Sequence, residues 1–265
     1  YLIRLLGEKQ VAVLSRGYRR KTRGFVLADD SATAMTLGDE PYQYHRKFPR
    51  ATVAVCESRQ KGIERLLENP HFKYIILDDA FQHRKVQAGT NLLLTSYDKL
   101  YTQDFLLPVG SLRDIRSRAR KAQIIIVTKC PELTQAEQEK IIQQLKPLSS
   151  QKVYFTSIAY SDRVYSHEDS QALKDFIATP FTLVTGIANP TPLVDFLEKQ
   201  GASFEHLAYS DHHHFSNREL ELLRQKGCIL TTEKDYVRLE GALPTLYYLP
   251  IETQFLNDQR LIFND

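Results

Sequence analysis

The stretch Tyr74-Ile75-Ile76-Leu77-Asp78-Asp79 decides the fold prediction, because an apolar run ends there in two adjacent carboxylates. A continuous apolar run of this length is typical of a buried strand in a parallel sheet. Acids at the carboxyl end of such a strand lie where open α/β sheets bind ligands. This is the layout of a Walker B segment, in which an acid holds the Mg²⁺ of a bound nucleoside triphosphate. The alternative is a strand end whose acids cap the next turn or helix.

Further apolar runs and helical patterns surround this stretch. Strands are predicted at residues 11–14, 52–55, 74–77, 92–94, 124–127, 182–185, 207–209, 228–230 and 247–249. Helices are predicted at residues 2–6, 60–68, 134–145, 192–200 and 217–225. Alternating strands and helices indicate βαβ units and a mostly parallel sheet. A more polar segment before residue 178 predicts two domains, a larger one at 1–178 and a smaller α/β domain at 179–265 whose tail could cross back to the first.

Composition excludes several classes of protein. The 265 residues include 35 basic and 32 acidic side chains, and this net charge of +3 is too small to predict nucleic-acid binding. The cysteines, Cys56, Cys130 and Cys228, match no metal-binding spacing, which favours a reducing cytosolic setting. No stretch approaches the roughly 18 apolar residues of a membrane-spanning helix.

Two acids stand between a glycine and a proline in Gly38-Asp39-Glu40-Pro41. Proline in a first turn predicts a helix start, where acids lie near the positive end of the helix dipole. A functional interpretation makes Asp39 a general base and Glu40 an acid near a metal ion. The alternative is an ordinary N-cap and first turn.

Three histidines follow an acid in Ser210-Asp211-His212-His213-His214-Phe215. Neighbouring residues do not face one way on a helix or strand, so the three histidines cannot bind one metal from a regular element. One histidine oriented by a carboxylate, as in acid–base catalysis, is a simpler arrangement. The alternative is a polar loop before a helix that starts after Ser216, with Glu219 in the capping-box position.

Three further segments place basic residues where phosphates could bind. Lys234 lies in Thr231-Thr232-Glu233-Lys234-Asp235, directly after a predicted strand, where it could meet a nucleotide or simply begin a helix. Residues 15–23 contain five cationic side chains, which could grip substrate phosphates or an anionic membrane surface. Arg113 follows a Pro/Gly turn that could hold its guanidinium rigidly against a phosphate. A solvated surface is the alternative for each.

A phosphate cradle is missing from the printed sequence. Phosphoryl transfer in this architecture usually needs the pattern GxxxxGK[ST], which does not occur in these residues. That loop would lie before the first helix, and residues 1–7 read like the end of an amphipathic helix that a glycine stops. We therefore expect the natural protein to begin before Tyr1.

Taken together, these segments resemble the tetraacyldisaccharide 4'-kinases, the lipid A 4'-kinases of Gram-negative bacteria. The resembling segments occur in the family's order between Leu14 and Asp235. They are Leu14-Ser15-Arg16-Gly17-Tyr18, Gly38-Asp39-Glu40-Pro41, Asp78-Asp79-Ala80-Phe81-Gln82-His83-Arg84, Leu107-Pro108-Val109-Gly110-Ser111-Leu112-Arg113, Asp211-His212-His213 and Thr232-Glu233-Lys234-Asp235. The chain departs from the family at Ala80, where glycine is common, and in lacking the P-loop and an N-terminal membrane helix.

The resemblance implies a P-loop-kinase-like, mostly parallel sheet flanked by helices, with a second, smaller α/β domain. It implies phosphorylation of the 4'-hydroxyl of a tetraacylated glucosamine disaccharide 1-phosphate, with ATP and Mg²⁺, at the cytoplasmic face of the bacterial inner membrane. The partners would be this lipid A precursor and the membrane surface, without nucleic acid.

The resemblance also implies roles for individual residues. Asp39 and His212 match the family's acid–base dyad, with Asp211 or His213 as alternatives if the register differs by one. The metal site matches Glu40, Asp78 and Asp79. Residues that match nucleotide-binding positions are Asp78, Asp79, Asn189, Lys234 and Asp235. Residues that match substrate-binding positions are Arg16, Gln82, His83 and Arg113.

Two other functions compete with the kinase. A metal-dependent phosphohydrolase could use residues 211–213, but Asp78 and Asp79 alone are thin support for a two-metal site. Manganese-dependent phosphate release without ATP would favour it. A non-catalytic module could bind anionic lipid or nucleic acid through residues 15–23 and 113–121, with steep salt dependence and no nucleotide affinity. Acids at strand ends argue against such a module, because it has no need of them.

Overall fold

Most of the predicted apolar runs form strands in the computed structural model, which describes residues 1–68, 70–261 and 263. The strands are β1 (Val11–Ser15), β2 (Val26–Leu27), β3 (Thr52–Val55), β4 (Tyr74–Leu77), β5 (Leu92–Ser96), β6 (Ile124–Thr128), β7 (Lys152–Tyr160), β8 (Arg163–Tyr165), β9 (Ser170–Ala172), β10 (Phe181–Thr185), β11 (Phe204–Ala208), β12 (Ile229–Thr232), β13 (Leu246–Leu249) and β14 (Ile251–Phe255). The α-helices are α1 (Leu2–Leu6), α2 (Ala34–Leu37), α3 (Asp39–Lys47), α4 (Arg59–Leu67), α5 (Gln135–Leu145), α6 (Leu173–Phe176), α7 (Thr191–Lys199), α8 (Asn217–Arg224) and α9 (Glu233–Leu239).

The described residues form three sheets, in the strand orders β2-β3-β1-β4, β11-β10-β12-β13-β8-β9 and β14-β7-β6-β5. Parallel pairs predominate, and the pairs β2–β3, β13–β8 and β8–β9 are antiparallel. Helices α3, α4 and α9 pack on these sheets. The predicted mixed α/β class, with mostly parallel sheets flanked by helices, is confirmed.

The chain folds into two compact units. The first unit comprises residues 1–78 and 160–251, and the second unit comprises residues 79–159 and the chain after residue 251. This grouping differs from the division predicted near residue 178. The β8–β9 hairpin pairs with β13, so the polar segment before residue 178 belongs to the six-stranded sheet of the first unit. Patterns along the sequence are local and do not predict a unit built from two separated segments.

The strand β4 differs from the prediction of a buried strand. It pairs with β1 in parallel and lies at the edge of its sheet, and Tyr74 is exposed. The adjacent β1 is buried along its whole length because β3 and β4 flank it on both sides. The register of the two strands brings the end of β4 beside Ser15, which ends β1.

Helix starts follow the local signals in the sequence. Helix α3 begins at Asp39, as the Gly-Asp-Glu-Pro segment predicts. Capping boxes begin α5 at Thr134 and α8 at Ser216. No helix among the described residues is both long and apolar enough to span a bilayer.

Strands β10 to β13 run parallel, so their carboxyl ends lie along one edge of the sheet in the first unit. Gly186 follows β10 at this edge, the segment 209–214 follows β11, and α9 follows β12. This edge is where parallel α/β sheets bind ligands.

Candidate active site

Asp39 and His212 are in contact although 173 residues separate them in the sequence. Nδ1 of His212 lies 3.1 Å from Oδ2 of Asp39, and both side chains are a little less than one-fifth exposed. Asp39 begins α3 after Gly38, whose φ is +93°. A Cβ at Gly38 would lie 2.9 Å from the carbonyl oxygen of Tyr18, so glycine allows both the turn and the close approach.

The backbone of His212 is also unusual. It adopts the left-handed region with a φ of +57° in the turn between β11 and α8. Such a conformation is sparsely populated for residues other than glycine and persists where its surroundings fix it. Here the N–H of His212 donates to the carbonyl oxygen of Gly186 at 3.2 Å. The carboxyl end of β10 therefore holds this histidine in place.

Hydrogen bonding assigns the tautomer of His212. Nδ1 carries the ring proton and donates a hydrogen bond to Asp39, since an ionised carboxylate can only accept one. A guanidinium nitrogen of Arg238 lies 3.3 Å from the same Nδ1, but two donors cannot bond each other, so its hydrogen bond goes to Asp39. Nε2 then keeps a lone pair, and Nζ of Lys234 lies 3.0 Å from it. The arrangement presents a basic nitrogen on the side of the ring away from the carboxylate.

Arg238 on α9 holds the carboxylate of Asp39 from a second direction. Its Nε and Nη2 lie 2.9 Å and 2.8 Å from Oδ2 of Asp39, and its Nη1 lies 3.0 Å from Oδ1 of Asp235. The Arg238 side chain is only 6% exposed. No motif in the sequence marks this arginine, although it lies three residues after Asp235, a spacing at which side chains on a helix meet.

Asp235 is fully buried, and both oxygens of its carboxylate accept hydrogen bonds from other groups of the protein. Oδ2 accepts hydrogen bonds from the backbone N–H of Gly186 and the hydroxyl of Thr232, each at 2.8 Å. The resemblance implies that Asp235 contacts the nucleotide. This geometry instead fits a role in holding Arg238 and joining α9 to the end of β10.

Lys234 lies among three acceptors. Besides Nε2 of His212, its Nζ lies 3.2 Å from Asp211 and 3.7 Å from Glu40. Partial burial raises the pKa of the Asp211 carboxyl, but the hydrogen bond and the charge of Lys234 outweigh burial and hold it below its ordinary value. Lys234 thus places a cation directly beside Nε2 of His212.

The other two histidines of the run face elsewhere. Nε2 of His213 lies 3.0 Å from a carboxylate oxygen of Glu219, and its ring stacks on Tyr209. His214 is exposed. Of the three histidines, His212 is therefore the one that the fold brings to Asp39.

Asp78 directly follows β4 and belongs to the same unit. Its carboxylate accepts hydrogen bonds from the Ser15 hydroxyl at 3.0 Å and from the Tyr44 hydroxyl at 3.3 Å. Tyr44 lies on α3, the helix that begins at Asp39. The same helix therefore carries Asp39 and contacts Asp78. The buried guanidinium of Arg59 donates to the backbone oxygen of Asp78 at 3.0 Å and fixes the turn.

Asp79, Arg113, Gln82 and His83 belong to the second unit. Asp79 has a φ of +45° and forms a two-pronged ion pair with Arg113, in which Nη1 lies 2.7 Å from Oδ2 and Nη2 contacts Oδ1. The hydrogen bond to Asp79 raises the pKa of Arg113. Both side chains are more than half exposed. Gln82 and His83 are half-buried in the turn that follows.

Arg16 and Asn189 lie in exposed loops of the first unit. Arg16 lines a cavity of about 460 Å³ with the other cationic residues of 15–23 and with Glu57. The side-chain oxygen of Asn189 accepts a hydrogen bond from the N–H of Thr191 at 3.2 Å, at the start of α7. Asn189 follows Gly186 by three residues, on the loop that anchors His212.

No group of three or more histidine, cysteine or acidic side chains with metal-binding geometry occurs among the described residues. Nucleotide-bound Mg²⁺ needs no such group, because it takes one or two carboxylates and completes its shell with phosphates and water. The carboxylate of Asp78, with the hydroxyl of Ser15 3.0 Å away, offers oxygen ligands of the kind that such an ion takes.

Comparisons with known proteins agree over nearly the whole chain. A family model described as "Tetraacyldisaccharide-1-P 4'-kinase" matches residues 1–263. A tetraacyldisaccharide 4'-kinase of Flavobacterium johnsoniae is 47% identical over 268 residues, which cover 98% of this chain and 78% of the relative. One of Bacteroides thetaiotaomicron is 41% identical over 293 residues, covering 100% of this chain and 77% of the relative. The crystal structure of LpxK from Aquifex aeolicus in complex with ATP superimposes with a TM-score of 0.78 at 25% identity, covering 97% of this chain and 78% of that one.

Proposed function

Because the chain belongs to the tetraacyldisaccharide-1-P 4'-kinase family, we propose that it transfers the γ-phosphoryl group of ATP to the 4'-hydroxyl of a tetraacylated glucosamine disaccharide 1-phosphate, a lipid A precursor. The observation that most supports this chemistry is the contact between Asp39 and His212. Transfer to a sugar hydroxyl needs a positioned group that accepts the hydroxyl proton. The dyad supplies one at the carboxyl ends of parallel strands.

In the proposed step, Nε2 of His212 receives the proton. The 4'-oxygen bonds to the γ-phosphorus as the bond to the β–γ bridging oxygen breaks, and ADP leaves with that electron pair. Asp39 remains a carboxylate that accepts the hydrogen bond from Nδ1–H throughout, and its charge stabilises the imidazolium that forms. Lys234 occupies Nε2 at 3.0 Å, so the hydroxyl takes its place when Lys234 turns toward phosphate.

Mg²⁺ would be held by Asp78 and Asp79, the acids of the Walker B segment, with Glu40 nearby in the first turn of α3. An ion held there would supply positive charge to offset the negative charge that develops on the phosphoryl group during transfer. Ser15 and Tyr44 keep the Asp78 carboxylate oriented through their hydroxyls.

Charge and exposure support the proposed substrate and nucleotide contacts. Arg16 and Arg113 are exposed guanidiniums suited to phosphate, and Gln82 and His83 offer hydrogen bonds to a sugar. Lys234 and the loop of Asn189 border the nucleotide. Because the proposed acceptor is a lipid and the proposed donor is ATP, we place the reaction at the cytoplasmic face of the bacterial inner membrane.

Neither competing function gains support. A two-metal phosphohydrolase needs acids and histidines arranged to bind metal ions, and no group of three or more with that geometry occurs among the described residues. A non-catalytic binding module would not need Asp39, His212 and Arg238, which come from three separate segments, to contact one another.

The test is phosphate transfer by the protein made from its complete coding sequence. ATP radiolabelled on its γ-phosphate and the tetraacyldisaccharide 1-phosphate should give a labelled bisphosphate, whose position phosphorus NMR assigns. His212→Ala should lower kcat about 10²- to 10⁴-fold. The matched control His213→Ala should keep kcat within a few-fold, since His213 bonds to Glu219. Failure to label the lipid, or manganese-dependent phosphate release without ATP, would overturn the proposal.

A further inference from the structure

Five large apolar side chains are exposed on one short segment of the second unit, residues 105–115, here called the apolar loop. They are Phe105, Leu106, Leu107, Val109 and Ile115, and Val109 is 83% exposed. Exposed apolar residues scattered singly are normal on a soluble protein, whereas a contiguous group indicates a binding surface. The proposed phosphoryl transfer assigns no role to these side chains.

The apolar loop is rigidly built. The buried carboxylate of Asp104 accepts hydrogen bonds from the N–H of Phe105 at 2.8 Å and from the N–H and hydroxyl of Ser111. The bond from the Ser111 hydroxyl, despite partial desolvation, holds the pKa of Asp104 well below its ordinary value. Backbone hydrogen bonds from Gly110 to Leu106 and from Leu112 to Phe105, each 3.0 Å, close the loop.

Gly110 is required for this closure. A Cβ at that position would lie 2.2 Å from the carbonyl oxygen of Phe105 and 2.3 Å from Oδ1 of Asp104. The loop is therefore a packed turn around a buried acid, and its apolar side chains point outward because the backbone holds them there.

Cations flank the apolar loop. Residues 104–121 contain five cationic and two acidic side chains, so this segment alone has a net charge of +3. The guanidinium of Arg116 lies 5.3 Å from the centroid of the Phe105 ring and donates to the backbone oxygen of Asp104. A short 3-10 helix (Arg116–Lys121) follows the apolar loop. Its last two residues, Arg120 and Lys121, are exposed.

We propose that the apolar loop is a membrane contact that enters the headgroup boundary of an anionic bilayer. Apolar side chains enter that boundary while neighbouring cations meet acidic headgroups. If two copies of the chain met through this segment, the net charge of +3 on one copy would face the same charge on the other, and this repulsion disfavours self-association. The inference rests on the proposed function, because a kinase of a membrane lipid must reach the bilayer.

The test places an environment-sensitive nitrobenzoxadiazole dye on Val109→Cys in the protein made from its complete coding sequence. Leu94→Cys is the matched control, because Leu94 is also an exposed apolar residue of the second unit, at 62%. Cys56 and Cys130 are buried, and labelling of the unmutated protein measures the background from half-buried Cys228. Vesicles contain phosphatidylethanolamine with phosphatidylglycerol, or phosphatidylcholine alone.

The dye at position 109 should shift to the blue with the anionic vesicles, less with the neutral ones and less at high salt, while the dye at position 94 should not shift. No shift at 109, or equal shifts at both positions, would overturn the inference. So would a shift that needs the tetraacyldisaccharide, which would indicate acyl-chain contact, or one that grows with protein concentration without vesicles, which would indicate self-association. The readout requires no phosphoryl transfer, so a failed kinase assay would leave it standing.

Discussion

Replacing Arg238 with glutamine should both destabilise the protein and disable the dyad. The Arg238 side chain is 6% exposed, and its three short contacts join Asp39 to the fully buried Asp235. Removing one partner of a buried ion pair costs about 3–5 kcal/mol, and the partial exposure of Asp39 puts this case near about 3 kcal/mol. For a chain of this size that corresponds to a melting temperature roughly 6–12 °C lower.

The effect on activity follows from orientation. Without Arg238 the Asp39 carboxylate can rotate, and the imidazole of His212 moves with it. A displacement of about 1 Å costs about 10²-fold in rate, so kcat should fall by that order while KM for ATP changes little. Arg238→Lys keeps the charge but loses the fork that reaches two carboxylates, and it should cost about 1.5–3 kcal/mol.

Thermal melting and initial-rate kinetics measure both effects. Arg46→Gln is the matched control, because Arg46 pairs with Glu240 from a side chain that is 44% exposed. It should lose no more than about 1 kcal/mol and keep its kcat. If Arg238→Gln melts at a lower temperature but keeps kcat within about twofold, Arg238 stabilises the fold without positioning Asp39 and His212, and its positioning role is refuted. An unchanged melting temperature would show that the ion pairs of Arg238 with Asp39 and Asp235 do not stabilise the fold.

Three further predictions concern other parts of the chain. The hydroxyl and backbone N–H of Ser216 hold the pKa of Glu219 below its ordinary value, so this carboxylate stabilises the fold above about pH 4.3 and stops doing so as the pH falls through its lowered pKa. Urea midpoints should therefore show wild type more stable than Glu219→Gln at neutral pH, with the difference vanishing in acid; a constant difference would contradict this. Arg113→Ala should change stability by less than about 1 kcal/mol, because its pair with Asp79 is exposed, yet lower kcat/KM for the lipid about 10- to 100-fold. Unchanged kinetics would remove Arg113 from the substrate site. Thr134→Ala breaks the capping box of α5 and should cost about 1 kcal/mol in thermal melts without changing kcat; a loss of activity would contradict a purely local role.

Local signals in the sequence predicted much of the fold. The strands at 11–14, 52–55 and 124–127 are confirmed, because neighbours on both sides bury them and leave a continuous apolar run. The helix starts at Thr134 and Ser216 are confirmed because a capping box lies within four residues.

Long-range pairing explains what the sequence did not reveal. The β8–β9 hairpin is polar and short, and its pairing with β13 fixes it, so no local period marks it. The contact of Asp39 with His212 came from the resemblance, since no spacing rule connects residues so far apart. Arg238 could not be predicted because its partner Asp39 is distant in the sequence and meets it only in the folded chain. The exposure of β4 could not be predicted because it depends on the position of this strand at the edge of its sheet.

A double-mutant cycle on kcat tests the central claim most directly. Asp39→Asn, His212→Ala and the double variant are compared with wild type in transfer from ATP to the tetraacyldisaccharide 1-phosphate, after thermal melting shows that each is folded. If the two residues act as one unit, each single variant loses about 10²- to 10⁴-fold, and the double variant loses no more than the weaker single variant. Losses that multiply, or a single variant that retains wild-type kcat, would contradict the dyad.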